Sequence, residues 1–317
     1  MIYVTGATGF IGSRVARRFL ERGEKVRCLV RNAARATELQ RLGAELVTGD
    51  LADEATHLRA IDGARAAIHL AAIYDLGLVD RGALERTNVD GTRAFLNAAE
   101  KSGIDRTIYI STTVALGPVV SQPTEPVEAY DGPYHSVYHE TKSEAHRLAR
   151  AKQRAGVPLI IVCPSFVYGP GDDGPGGRFI RDIAGRKLPA LLSAPSSFAY
   201  VYVDDVADGI IAALDRGVPG ETYLLTGPFA TMNEFAQSVA RTAGVKAPRM
   251  RMPVGVARAL GAMLDPVARL TGIRFPITAE GIRTTAIDRW LHTHERAKRD
   301  LGYAPRSLDS GLRETVG

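Results

Sequence analysis

Ile2-Tyr3-Val4-Thr5-Gly6-Ala7-Thr8-Gly9-Phe10-Ile11-Gly12 follows Met1 directly and decides the fold class. Ile2 to Thr5 read as a buried strand, and a helical pattern begins near Phe10. Between them stand three glycines at G-x-x-G-x-x-G spacing, one residue longer than the usual dinucleotide-binding turn. Gly6 permits the tight turn, and Gly9 lets backbone approach a pyrophosphate without a Cβ clash. Gly12 lets the helix pack close to the sheet. The helix N-terminus then offers its free N–H groups to phosphate. Gly6, Thr8, Gly9, Phe10, Ile11 and Gly12 are therefore candidate cofactor-binding residues. Glycine turns are common, so the weight rests on the placement between a strand and a helix.

Outward from this loop, apolar runs alternate with helical patterns. Strands are expected at Ile2–Thr5, Lys25–Val30, Glu45–Thr48, Ala66–Leu70, Thr107–Ser111 and Leu159–Cys163. Helices are expected to begin near Phe10, Ala34, Glu54, Ala83 and Ser136. Such alternation specifies an α/β fold, because parallel strands need crossover connections. The expected architecture is a Rossmann-type doubly wound parallel sheet with a smaller, mostly helical C-terminal substrate lobe. The stretch from Pro164 to Gly177 is rich in Gly and Pro and reads as loop. A helix is expected near Arg178, and another from Asp204-Asp205 to about Leu214. Thr231-Met232-Asn233-Glu234 has the pattern of a capping box. Val254–Leu270 is apolar and helical, broken by Pro266, and reads as a packed lobe helix rather than a membrane-surface helix. The nucleotide-binding domain is assigned to 1–163, with 199–220 returning to it. The substrate lobe takes 164–198 and 221–317.

Composition narrows the function classes. The 317 residues carry 40 Lys and Arg against 35 Asp and Glu, a formal net charge of +5. No clustered basic stripe of the kind nucleic acid requires is visible, so no nucleic-acid partner is expected. No apolar run reaches the length of a membrane span. The first strand leaves no room for a secretory signal, so a cytoplasmic location is expected. Cys28 and Cys163 lie in strand-like runs and read as core residues.

The second strand ends Leu29-Val30-Arg31-Asn32. An acidic residue here would bind a ribose 2′-OH; Arg31, with Arg35 one turn on, suits a 2′-phosphate instead. NADP(H) is therefore favoured and NAD(H) remains possible, with a solvated surface arginine as the alternative reading. After the third strand, Asp50 and Leu51 are candidates for the adenine, Asp50 through the amino group; an N-cap at Asp50 would explain it equally.

Tyr138 and Lys142 stand at i and i+4 in Tyr138-His139-Glu140-Thr141-Lys142, on one face of a helix. A tyrosine titrating near ~10 is a poor catalyst at neutral pH. A neighbouring ammonium and a positively charged nicotinamide would stabilise its phenolate. The strand Thr107–Ile110 ends in Ser111-Thr112-Thr113, one of whose hydroxyls can hold a substrate carbonyl.

Together these elements resemble the extended short-chain dehydrogenases/reductases of the NAD-dependent epimerase/dehydratase superfamily. The resemblance rests on the glycine loop, His69-Leu70-Ala71-Ala72, Asn88-Val89-Asp90-Gly91-Thr92, the Ser-Thr-Thr run, Tyr138 and Lys142, and Pro164-Ser165-Phe166-Val167-Tyr168-Gly169-Pro170. They occur in the family's order along the whole chain. The resemblance implies catalytic roles for Thr112, Tyr138 and Lys142, with Lys142 also on the nicotinamide ribose. It implies Ala71 and Ala72 beside that ribose, Pro164, Ser165, Phe166 and Val167 along the carboxamide, and Asn88 supporting the site near Lys142. Sugar-nucleotide members commonly carry an Asn and an Arg where this chain has Ser165 and Phe198, so a diphosphate would lack its clamp. The Pro-Ser form with Arg31 looks more like the dihydroflavonol-reductase-like and hydroxysteroid-dehydrogenase-like branch. The chain also resembles hopanoid-associated sugar epimerases.

No metal site is expected. His135 and His139 lack a third ligand, and Asp172-Asp173 and Asp204-Asp205 read as a loop and a helix cap. The helices at 83–100 and 136–153 have apolar faces that would pair in a homodimer, although packing on the sheet explains much of that pattern. The expected function is NADP(H)-dependent interconversion of a carbonyl and an alcohol, on a small carbonyl or sugar substrate. A sugar epimerase with retained cofactor is the alternative, and a non-catalytic NADP-sensing regulator the second.

Overall fold

The computed structural model describes all residues except 76–79, 194–195, 272, 274, 276–277 and 287–288. The first half alternates strand and helix: β1 (Ile2–Thr5), α1 (Gly12–Glu21), β2 (Val26–Val30), α2 (Thr37–Arg41), β3 (Glu45–Thr48), α3 (Glu54–Ile61) and β4 (Ala66–His69). Then come α4 (Arg81–Leu84), α5 (Gly91–Ser102), β5 (Thr107–Ile110), β6 (Val119–Thr124), α6 (Val137–Arg154) and β7 (Leu159–Pro164). The second half contains β8 (Phe166–Tyr168), α7 (Pro175–Ala184), β9 (Ala190–Ser193), β10 (Ser197–Tyr202), α8 (Val203–Arg216), β11 (Thr222–Leu225), β12 (Phe229–Thr231) and α9 (Met232–Thr242). It closes with β13 (Met250–Pro253), α10 (Val254–Thr271), α11 (Ala279–Thr285), β14 (Arg289–His292), α12 (Glu295–Leu301) and α13 (Leu308–Val316).

Seven parallel strands form the central sheet in the order β11-β7-β5-β4-β1-β2-β3. The order reverses at β1, which pairs with β2 on one side and β4 on the other. Crossovers from the two halves leave in opposite directions there, and a crevice opens beyond the strand ends. β1, β4, β5, β7 and β11 are buried along their whole length, as expected for strands covered on both faces, whereas the edge strand β3 is partly exposed. On β1, Ile2 and Val4 face a core with Phe19 and Ile210, while Tyr3 faces Phe95 and Ala145. A third core in the second lobe stacks Phe235 on Tyr200, ring centres 4.0 Å apart.

One assignment along the second half needs correction. Thr222–Leu225, read as lobe, pairs with β7 as the edge strand of the central sheet. Residues 199–202, expected to return to the nucleotide-binding domain, lie in β10 of a second sheet with β6, β8, β12 and β14, while Val201 packs in the same core as Val4 and Ile210. The following α8 packs on α1 and the central strands. Apolar runs of this length carry no record of their partner strand.

At Thr231 the capping box is complete, with Glu234 accepting the Thr231 N–H and Thr231 accepting the Glu234 N–H. Pro266 lies inside α10 rather than ending it. Cys28 and Cys163 are buried and unpaired.

Candidate active site

A cavity of about 660 Å³ opens at the reversal point of the central sheet. Gly6, Thr8, Gly9, Phe10, Ile11 and Gly12 form its floor. Gly6 has a φ of 73°, and a Cβ there would lie 2.6 Å from the Ala71 nitrogen. A Cβ on Gly12 would lie 2.1 Å from the Gly6 carbonyl oxygen, so the helix reaches the sheet only because this residue is glycine. The start of α1 has no side-chain cap and no acidic residue in its first turn. Its positive end therefore faces the cavity unopposed, which fits the phosphates of a dinucleotide.

The tyrosine and lysine enter from α6. Ser136 caps that helix by accepting the His139 N–H at 3.0 Å, and Glu280 of α11 accepts the Val137 N–H at 2.7 Å. Both anchors fix the turn that carries Tyr138. From β5, Thr112 begins a short 3-10 turn and accepts the Val114 N–H at 3.2 Å. Thr112, Tyr138 and Lys142 all line the cavity and are almost fully buried.

Lys142 donates to the Ile110 carbonyl at 3.1 Å and to the Tyr109 hydroxyl at 3.3 Å. Burial pushes its ammonium down to about 8. Burial also pushes the Tyr138 phenol up to about 12, while a hydrogen bond with Thr112 works in the opposite direction. Without a ligand, the lysine is engaged by β5, and the Thr112 hydrogen bond is what opposes the effect of burial on the phenol.

Asn88 sits in a wide helical turn over Glu85–Asp90, between α4 and α5. Its side chain accepts the Ile73 N–H at 2.8 Å and donates to the Ile73 carbonyl at 3.1 Å and the Thr141 hydroxyl at 3.2 Å. It ties the segment after β4 to the helix turn between Tyr138 and Lys142. Buried His69 joins the same region: it is hydrogen-bonded to Thr5 at 2.7 Å and Thr92 at 3.1 Å, and burial holds it neutral.

Ala72, Pro164, Ser165, Phe166 and Val167 also line the cavity, whereas Ala71 does not and donates its N–H to Thr5. Arg31, Arg35, Asp50 and Leu51 lie outside it, at the ends of β2 and β3. Arg31 and Arg35 are exposed. Asp50 pairs with Arg86 and accepts the Ala52 N–H, and the cap of α3 is Asp53 rather than Asp50. His135 precedes α6 instead of sharing its face, and the His139 ring is packed among Tyr130, Tyr134 and Trp290. Asp204 pairs with Arg14 and Arg18. Among the described residues no cluster of His, Cys, Asp and Glu is gathered for a metal.

Three further residues shape the cavity region. Tyr74 stacks edge-on against Tyr138, ring centres 4.9 Å apart. Trp290 of β14 lines the cavity with its indole N–H buried and unpartnered. Glu280 acts across the molecule on α6. A lone aromatic inside a short strand, or a Glu in a short helix, gives no local signal of such contacts.

The NAD dependent epimerase/dehydratase family model matches residues 2–226. A dihydroflavonol 4-reductase-like protein of Synechocystis sp. is 31% identical over 99% of this chain and 93% of its own length. Sterol demethylase protein B of Methylococcus capsulatus is 30% identical over 99% of this chain and 96% of its own. The crystal structure of gox2253 superposes with a TM-score of 0.82 at 33% identity, covering 100% of this chain and 96% of that one. With the glycine loop, the parallel sheet and the tyrosine–lysine helix in place, the chain belongs to the NAD-dependent epimerase/dehydratase family, the extended short-chain dehydrogenase/reductase enzymes.

Proposed function

We propose that this enzyme reduces an apolar aldehyde or ketone to an alcohol with NADPH, or runs the reverse. The carrying observation is the wall of the cavity. Phe198, at the approximate place of the sugar-diphosphate clamp, lines it beside Phe166, ring centres 6.2 Å apart. Arg14 and Lys142 are the cationic side chains among its described lining residues. Arg14 is engaged by Asp204 and by the Phe10 and Pro170 carbonyls. A diphosphate placed there would lose hydration without gaining a guanidinium, whereas an apolar substrate gains burial.

The bound nicotinamide supplies the hydride. Tyr138, protonated at neutral pH, donates its phenolic proton to the carbonyl oxygen. Thr112 steadies the same oxygen and stabilises the phenolate left behind. Lys142 holds the ribose hydroxyls and keeps a positive charge beside the phenolate. Asn88 keeps the helix turn under Lys142 in register. Arg31 and Arg35 select the 2′-phosphate of NADP(H), while Asp50, Leu51 and Ala71 border the adenosine and ribose. A cytoplasmic homodimer joined through α5 and α6 fits this reading.

Steady-state NADPH consumption against apolar ketones, aldehydes and nucleotide sugars tests the proposal. Turnover confined to the apolar carbonyls is expected. Turnover confined to nucleotide sugars would refute the role given to Phe198.

A further inference from the structure

The net positive charge of this chain falls in one stretch of its sequence. Residues 242–286 contain seven Lys and Arg against two Asp and Glu, a net +5 equal to that of the whole chain. The two acids are engaged: Asp265 accepts the Ala279 N–H at 3.2 Å, and buried Glu280 accepts that of Val137 in α6. Lys246, Arg249, Arg251 and Arg258 are exposed, and among the described residues none has a carboxylate partner. Cations elsewhere are commonly paired, as Arg18 is with Asp204 and Asp208.

Lys246, Arg249 and Arg251 lie on and before β13, which leads into α10 and an uncovered apolar stripe. On α10, Ala257, Gly261 and Ala268 are buried, and a Cβ on Gly261 would lie 2.7 Å from the Ala279 nitrogen of α11. Another face carries Val256, Leu260, Met263, Val267 and Leu270 at alternating spacings of four and three, one continuous line along a helix. Met263 is 71% exposed and Leu270 87%, and Met250 of neighbouring β13 is 67% exposed. The helix thus packs into the lobe, as its sequence suggested, yet leaves an apolar edge in water.

We propose that the α10–β13 face docks on an anionic lipid surface. The stripe would enter the acyl boundary while the unpaired cations meet anionic headgroups. Charge selects this occupant over a second copy of the chain, which would bring the same unpaired cations together. The next helix, α11, packs on the buried face of α10 and lines the cavity through Thr284 and Thr285. This docking stands apart from the reductase reading, because binding is measured without turnover.

The test is co-sedimentation of the full chain with vesicles of phosphatidylglycerol and phosphatidylcholine, and with phosphatidylcholine alone, over a range of salt. Binding to the anionic vesicles, weakening with salt, is expected. Met263→Glu with Leu270→Glu, and separately Arg249→Glu with Arg251→Glu, should each lower the bound fraction about tenfold or more. All four positions are exposed, and an unchanged melting temperature verifies the fold. Absence of binding to anionic vesicles overturns the proposal, as does equal binding to neutral ones. A dimer broken by Met263→Glu, without vesicle binding, overturns it in favour of a second copy.

Discussion

The ammonium of Lys142 donates to the hydroxyl of Tyr109 at 3.3 Å and stands 5.1 Å from the centre of its ring. With the Ile110 carbonyl, this gives the lysine two anchors on β5 and fixes it before any ligand arrives. Tyr109→Phe removes one anchor and keeps the ring. A loss in kcat of about three- to tenfold is expected, the worth of one hydrogen bond, with little change in the KM for NADPH. Steady-state kinetics checks this, and an unchanged kcat would separate Tyr109 from catalysis.

The pH profile follows from the same lysine. Burial lowers Lys142 to about 8, so its ammonium persists below that pH and is lost above it. Tyr138, at about 12, stays protonated through the range. The kcat/KM for reduction should be level at neutral pH and fall above about 8. Lys142→Met should react slowly and lack this limb. The same limb in that variant would assign it to another group.

Arg31 is exposed beside the end of β2. Arg31→Ser should raise the KM for NADPH about tenfold and leave that for NADH almost unchanged, as expected for one charge-assisted phosphate contact. Parallel titration with both cofactors decides it. Equal effects on the two would place Arg31 away from the 2′-phosphate.

Asn88 closes three hydrogen bonds in a buried setting. Asn88→Ala leaves the Ile73 amide without its partner, and a stability loss of about 1–3 kcal/mol is expected in urea unfolding. A loss within error would show that water replaces the side chain.

Much of the fold was legible because the central strands are buried on both faces and their helices carry one apolar stripe. Ile2–Thr5, buried throughout, appears with the expected bounds, and so does the partly exposed edge strand Glu45–Thr48. The glycine loop and the Tyr138–Lys142 spacing were legible for another reason, since local backbone geometry alone demands them. Partnership over long separations was not legible. Nothing near Glu280 says that its carboxylate caps a helix 143 residues away. Nothing in Val254–Leu270 says which part of its apolar stripe remains in water, because periodicity marks a face without saying what covers it.

Hydride delivery to a carbonyl carbon, with Tyr138 as the acid, is tested most directly by isotope transfer. Deuterated NADPH and an apolar ketone are turned over by the wild type and by Tyr138→Phe, with product examined by mass spectrometry and cofactor binding by fluorescence. The expected result is one deuterium per alcohol in the wild type, and loss of turnover in the variant with NADPH binding retained. Unlabelled product, or full activity in Tyr138→Phe, would contradict it.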